Sequence, residues 1–243
     1  KRALVDQVRS GIMISGDKLY FGAADSKMHC LDKTTAGGSD CAGWTDLAVS
    51  GIVSATPYVD DRTGVNAAWI GTEAGGLVQL NTGTGGSVAS YATGSAIRSS
   101  PFGDTAWAGS SNRLLLTSTD GKLYFTTLDF TTVDASPAGS PIYSSPFVWT
   151  LSGTRYVFFG DEAGYLHKVS TQNIVTMTEP AGWPFQAGGA IRSGPVIAPA
   201  NYVTGVADPY VYFGCDDGYI YAVNAETGQL RTGWPVATGG PVR

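Results

Sequence analysis

At 243 residues with 43% hydrophobic content, the chain can bury a sizeable core, as one large domain or two small ones. Its 33 glycines and 12 tyrosines, with only 14% charged residues, suit short strands and tight turns rather than helices. A net charge of -5 leaves no basic face to neutralise a phosphate backbone, and no apolar run approaches the roughly 20 residues that cross a bilayer, so neither nucleic acid nor a membrane span is expected.

The sequence begins Lys1-Arg2, without Met or a signal-like stretch, which predicts a processed or trimmed chain. The first recurring phrase opens at "QVRSG" (7–11) and continues through an aromatic strand "KLYFG" (18–22), an Asp25-Ser26 turn and "KMHCLD" (27–32). A Gly-rich polar loop between Cys30 and Cys41 is long enough to bend back, which leaves a disulfide or two free thiols open, and Trp44 follows. No C-x-x-C pair exists, and the two histidines sit in different copies, so zinc is not expected. A bridge would place the protein in an oxidising compartment.

The second copy runs "GIVSATP" (51–57), "AAWIG" (67–71), Ala74-Gly75 and "GLVQLN" (76–81), with Tyr91 where the first has Trp. In the third, "SAIRSSP" (95–101), "RLLLT" (113–117), Asp120-Gly121 and "KLYFTT" (122–127) follow one another, with neither the T-G turn nor the last-strand Trp. The fourth has "SPIYSSP" (140–146), "YVFFG" (156–160), Ala163-Gly164, "YLHKVS" (165–170) and Trp183. The fifth has "GAIRSGP" (189–195), "YVYFG" (210–214), Asp217-Gly218, "YIYAVN" (219–224), "AETGQ" (225–229) and Trp234, after which "GPVR" (240–243) opens a sixth.

Aligned on Arg9, Val53, Arg98, Tyr143, Arg192 and Arg243, the copies are spaced 44, 45, 45, 49 and 51 residues apart. A period of this size predicts propeller blades. Each copy supplies an apolar first strand, an aromatic second strand, a two-residue hairpin turn with φ > 0, an alternating third strand and a fourth strand carrying the Trp. The expected fold is an all-β propeller of four-stranded antiparallel blades, a single domain over 1–243 with repeats at about 7–50, 51–94, 95–139, 140–189 and 190–240. Five blades either close into a ring, with residues 1–6 adding an outer strand, or form part of a ring of seven or eight.

The stretch "VYFGCDDGYIYAVNAETGQLRTGW" (211–234) resembles the pyrroloquinoline-quinone-type propeller repeat, whose marks are a strand, a D-G turn, an "lyAld" strand, a T-G turn and a Trp. The resemblance covers all five copies, with copies one and five matching well. The group includes quinoprotein dehydrogenases, an outer-membrane assembly lipoprotein and propellers of pilus-tip adhesins, to which "FFGDEAGYLHKVS" (158–170) is similar. The "GWPFQAGGAIRSGP" and "GWPVATGGPVR" junctions resemble extracellular integrin-like bacterial propellers, whose calcium-binding D-x-D-G-D-G loops are missing here.

On this fold, Arg9, Arg98, Arg192 and Arg243, with Tyr143 at the same repeat position, gather at one mouth of the channel, facing the turn carboxylates Asp25, Asp120, Asp161, Asp216 and Asp217. They either pair with those carboxylates and pin the blades, or bind an anion or an acidic segment of a partner. Asp60, Asp61 and Asp208 raise the prospect of calcium, although "DDRTGVN" lacks the spacing of a calcium loop, and no other cofactor is expected. His29 and His167 share one repeat position and read as packed imidazoles. Trp107 and Trp149 are the candidate surface aromatics, while Trp69 reads as core.

The resulting expectation is a non-catalytic binding or scaffold module of the bacterial envelope or cell exterior, with a protein partner. The alternatives are a quinoprotein dehydrogenase or a fragment of one, and a glycan-binding propeller. A dehydrogenase needs a vicinal cysteine pair, a quinone-sandwiching Trp, a calcium site and a carboxylate base, and these do not converge in the sequence. Arginine, valine, arginine, tyrosine and arginine at one repeat position argue against five identical glycan pockets.

Overall fold

Alternating apolar residues in strands too short to bury two faces alone must stack sheet on sheet, and the computed structural model shows this stacking. It describes residues 6–62, 65–104, 113–130, 133–172, 178–199 and 208–243. The first sheet contains β1 (Met13–Ser15), β2 (Lys18–Gly22), β3 (Lys27–Asp32), β4 (Ser39–Asp40) and β5 (Leu47–Ala48). The second contains β6 (Tyr58–Asp60), β7 (Ala67–Gly71), β8 (Gly76–Asn81) and β9 (Ser87–Ala92). The third contains β10 (Phe102–Asp104), β11 (Arg113–Ser118), β12 (Lys122–Thr127) and β13 (Val133–Pro137). β14 (Phe147–Leu151), β15 (Thr154–Gly160), β16 (Tyr165–Ser170) and β17 (Phe185–Gln186) make the fourth. The fifth is β18 (Val196–Ala198), β19 (Tyr210–Gly214), β20 (Tyr219–Asn224) and β21 (Val236–Ala237).

Strands follow chain order within every sheet, as in a β-propeller blade. No helix occurs among the described residues, and none is long and apolar enough to cross a membrane. By contact density the chain falls into two compact units, 1–118 with 126–133, and 119–125 with 134–243.

Three details differ from the expectation. The first sheet has five strands, because β4 and β5 both pair with β3 and divide the fourth position around the loop that follows the Cys30–Cys41 disulfide. Trp44, Trp183 and Trp234 precede the last strand of their sheets instead of lying in it. The hairpin between second and third strands is not a two-residue turn with φ > 0 at both positions. In the second sheet Gly75 N donates to Thr72 O (3.0 Å) and Thr72 N to Gly76 O (2.9 Å), and only Gly75 has positive φ, at 85°. This is a three-residue loop, a type I turn closed by one left-handed residue, and it recurs at 161–165 and 215–219.

Within the first unit, Tyr20, Met28 and Cys30 pack against Ala68 and Leu80 of the next sheet, and Trp44 meets Tyr20 edge-on at 5.6 Å. In the second unit, Phe158, Leu166 and Trp183 pack against Val211, Phe213, Tyr221 and Val223. Four of the five second strands end in glycine where the next copy's lead-in crosses: a Cβ on Gly22, Gly71, Gly160 or Gly214 would lie 2.1–2.2 Å from Val53, Ile97, Ile191 or Val242. That shared seat corrects the repeat alignment. Val53 stands with Ile97, and the residue in register with Arg98 is Ser54.

Polar pins join neighbouring sheets at one repeat position. Tyr20 OH donates to Thr82 O (3.3 Å), and Trp69 Nε1 donates to Leu128 O (2.9 Å). Phe158 has no donor at this place, and the buried Lys168 takes over, its Nζ reaching Ala225 O at 2.7 Å. The disulfide closes a short loop on a buried Cys30, so the double substitution Cys30→Ser and Cys41→Ser is expected to lower unfolding free energy by about 2–3 kcal/mol in urea melts.

Candidate functional site

The two loop positions after each second strand have separate partners. In the second unit Glu162 takes Arg192 in a bidentate pair, Nε to Oε1 at 2.6 Å and Nη2 to Oε2 at 2.7 Å. Arg192 Nη1 lies 3.1 Å from Asp216 Oδ2, and Arg243 Nε donates to Asp216 Oδ1 at 2.9 Å. The Arg192 guanidinium also sits 5.3 Å from the Tyr143 ring centre. In the first unit Arg98 Nη2 reaches Glu73 Oε2 at 3.5 Å, while Arg9 has no ion pair among the described residues.

A rule follows from the register: each lead-in arginine meets the acid in the preceding copy's loop. Arg98 faces Glu73, Arg192 faces Glu162 and Arg243 faces Asp216. Where the loop instead carries Ala24 or Thr119, the following lead-in carries Ser54 or Tyr143. Of the five aspartates expected to face the arginines, Asp216 does so, meeting Arg192 and Arg243.

The other four hold a polar ring on the third strand. Tyr124 and Tyr221 donate to Asp120 Oδ2 and Asp217 Oδ2, each at 2.6 Å. Asp217 is held below the usual carboxylate range by these hydrogen bonds acting against its burial, and burial with that aspartate pushes Tyr221 up to about 12. His29 Nε2 lies 3.1 Å from Asp25 Oδ2, and its Nδ1 lies 2.9 Å from Asp46 Oδ2, off the hydrogen-bond direction. His167 is clasped on both sides, Nε2 to Asp161 Oδ2 at 3.2 Å and Nδ1 to Glu179 Oε1 at 3.1 Å. Both imidazoles are buried and stack on a second-strand ring, Phe21 or Phe159.

Burial alone would lower the pKa of His167, but the two carboxylates outweigh it and raise it to about 9. A raised folded-state pKa means stabilisation that is complete below the unfolded value of about 6.5 and lost as pH rises through 9. Melting temperatures of the native chain and His167→Gln should therefore differ most near pH 6 and converge above pH 9.

Among the remaining candidates, Asp60 is buried and held by Arg62, whose Nε donates at 2.8 Å, and these bonds keep its pKa low. Asp61 instead bonds Ser15. The third cysteine, Cys215, is buried with Sγ donating to Gly189 O at 3.1 Å, and burial pushes its thiol up to about 11. Trp149 is partly buried, stacks on Phe147 at 6.2 Å, and lines a cavity of about 290 Å³ with Val148, Thr150 and Arg155. Trp107 lies outside the described residues. Sequence reasoning missed Asp46 and Glu179, which sit in segments of unlike length and carry no repeat signal. It missed Glu73 and Glu162 because it took only aspartates as the arginines' counter-charges, while the repeat alignment slipped by one residue at Val53 although the shared Pro57 and Pro101 mark the correct register.

No family model matches the sequence, and no curated protein matches it. Among solved structures, the chain is similar to BamB from Moraxella catarrhalis, with a TM-score of 0.69 and 16% identity over 95% of this chain and 62% of that one. It is also similar to the computationally designed Ika8 protein, with a TM-score of 0.66 and 18% identity over 96% of this chain and 63% of that one. The chain thus spans about three fifths of the length of each neighbour. The likeness establishes the β-propeller fold alone.

Proposed function

We propose that the chain is a non-catalytic binding module that presents its inter-strand loops to a protein partner in the bacterial envelope or outside the cell. The observation that carries this reading is that, among the described residues and with Arg9 excepted, the candidate ionic groups are engaged within the chain. Arg98, Arg192 and Arg243 meet loop carboxylates, both histidines lie between two acids, and Cys215 is a buried thiol. A nucleophile or general base needs a group free to meet substrate. The disulfide supports an oxidising compartment.

Affinity capture from envelope extracts, followed by cross-link mapping, tests the proposal. Capture of a defined protein cross-linked to the loops supports it. Dye-linked alcohol oxidation by the quinone-supplemented chain contradicts it. A glycan-binding reading has one observation in its favour, the Trp149 face and Arg155 beside the same cavity, since sugars stack on indole and bond to guanidinium. Glycan-array binding that is lost in Trp149→Ala would select that reading.

A further inference from the structure

Position by position, one face of the first sheet and one face of the fifth lack the cover that equivalent positions have elsewhere. On the first sheet the cross-strand pair Leu19 and Leu31 is partly exposed. Its counterparts are buried: Ala68 with Leu80, Val157 with Val169, and Val211 with Val223. Ile14, paired with Leu19 and so on the same face, is 60% exposed, and Val8 is 42% exposed where Val53, Ile97 and Ile191 are buried.

The fifth sheet shows the same deficit on its opposite side. Tyr212 and Ile220 are partly exposed, although Tyr20 and Met28, Trp69 and Leu77, and Phe158 and Leu166 are buried at those positions. Val236, paired with Ile220, is 46% exposed. An apolar sheet face of this kind calls for a partner.

The polar groups say which partner. Tyr212 stands at the position from which Tyr20 and Trp69 donate to a carbonyl of the following sheet. Its oxygen accepts from Arg231 Nη1 at 3.0 Å and keeps its own proton to donate. The matching acceptor position on the first sheet is the Lys33 carbonyl, because Lys33, Thr82 and Ala225 close the same backbone bond, to Asp17, Asn66 and Pro209. Arg9 lacks an ion pair among the described residues, and Asp216 is the acid at the position that serves Arg98 and Arg192 from the loops of their preceding copies.

We propose that these faces belong together, the fifth sheet of one copy packing head to tail against the first sheet of a second copy. The interface is heterologous, so association extends beyond a dimer unless it closes. Val242 and Arg243 fill the seat over Gly214 and Asp216 that Val8 and Arg9 of the second copy would take. They therefore compete with association, and removing residues 241–243 strengthens it.

Sedimentation velocity from about 1 to about 100 µM tests this with the native chain, the chain lacking residues 241–243, Ile14→Glu and Val236→Glu. Both substituted residues are exposed, so each variant keeps the native melting temperature. The native chain associates with rising concentration, the shortened chain does so at lower concentration, and each variant is monomeric. A mixture of the two variants forms a 1:1 dimer and nothing larger, since each contributes its one intact face. The proposal is overturned if the native and shortened chains both remain monomeric, if neither substitution weakens association, or if the mixture fails to pair. Capture of an envelope protein by the monomeric variants reports separately on the proposed function.

Discussion

Trp183→Ala is expected to destabilise the protein by about 3–5 kcal/mol, read from the midpoint of urea unfolding at constant slope. Trp183 is buried, meets Phe158 edge-on at 5.6 Å, and has the Lys168 ammonium 5.7 Å from its ring. The chain cannot readily collapse into the space it leaves, because the tight approach of Gly182 to the Thr227 carbonyl fixes the backbone on one side. Trp44 holds the same place against Tyr20 in the first unit, so Trp44→Ala should fall in the same range, whereas the more open Trp234 should matter less. A loss below about 1 kcal/mol at Trp183 would mean that this joint is not a packed core.

Lys168→Ala is expected to cost about 3–4 kcal/mol, combining a cavity with an orphaned buried carbonyl. Burial lowers the lysine's pKa, yet its ammonium bonds Ala225 O and sits 4.3 Å from the centre of the Tyr156 ring. Lys168→Met keeps most of the packing and should recover part of the loss. Adding Phe158→Tyr to that variant should recover more, since a hydroxyl at this position reaches the equivalent carbonyl from Tyr20. No recovery would show that the two positions are equivalent in sequence only.

Much of this fold is legible because the signals are local. "YVYFG", a D-G pair and "YIYAVN" place a strand, a loop and a strand by alternation and turn chemistry, and β19 and β20 lie there. The loop type is not legible from Asp217-Gly218, since the same pair fits a two-residue turn or the end of a three-residue loop. The split fourth position of the first sheet depends on how the Cys30–Cys41 bridge steers a loop, which spacing leaves open. The arginine positions were visible as a repeat, but their partners depend on register across sheets, which pairs Arg98 with Glu73 and Arg192 with Glu162 rather than with the turn aspartates. The clasp on His167 was invisible, because Glu179 reaches it from a segment that no other copy shares.

The repeated arginines are expected to hold neighbouring sheets together rather than wait for a ligand. A double-mutant cycle on Arg192→Gln and Glu162→Gln tests it most directly. The pair is bidentate but partly exposed, so a favourable coupling of about 1 kcal/mol is expected. A coupling indistinguishable from zero, with both single variants as stable as the native chain, would contradict it.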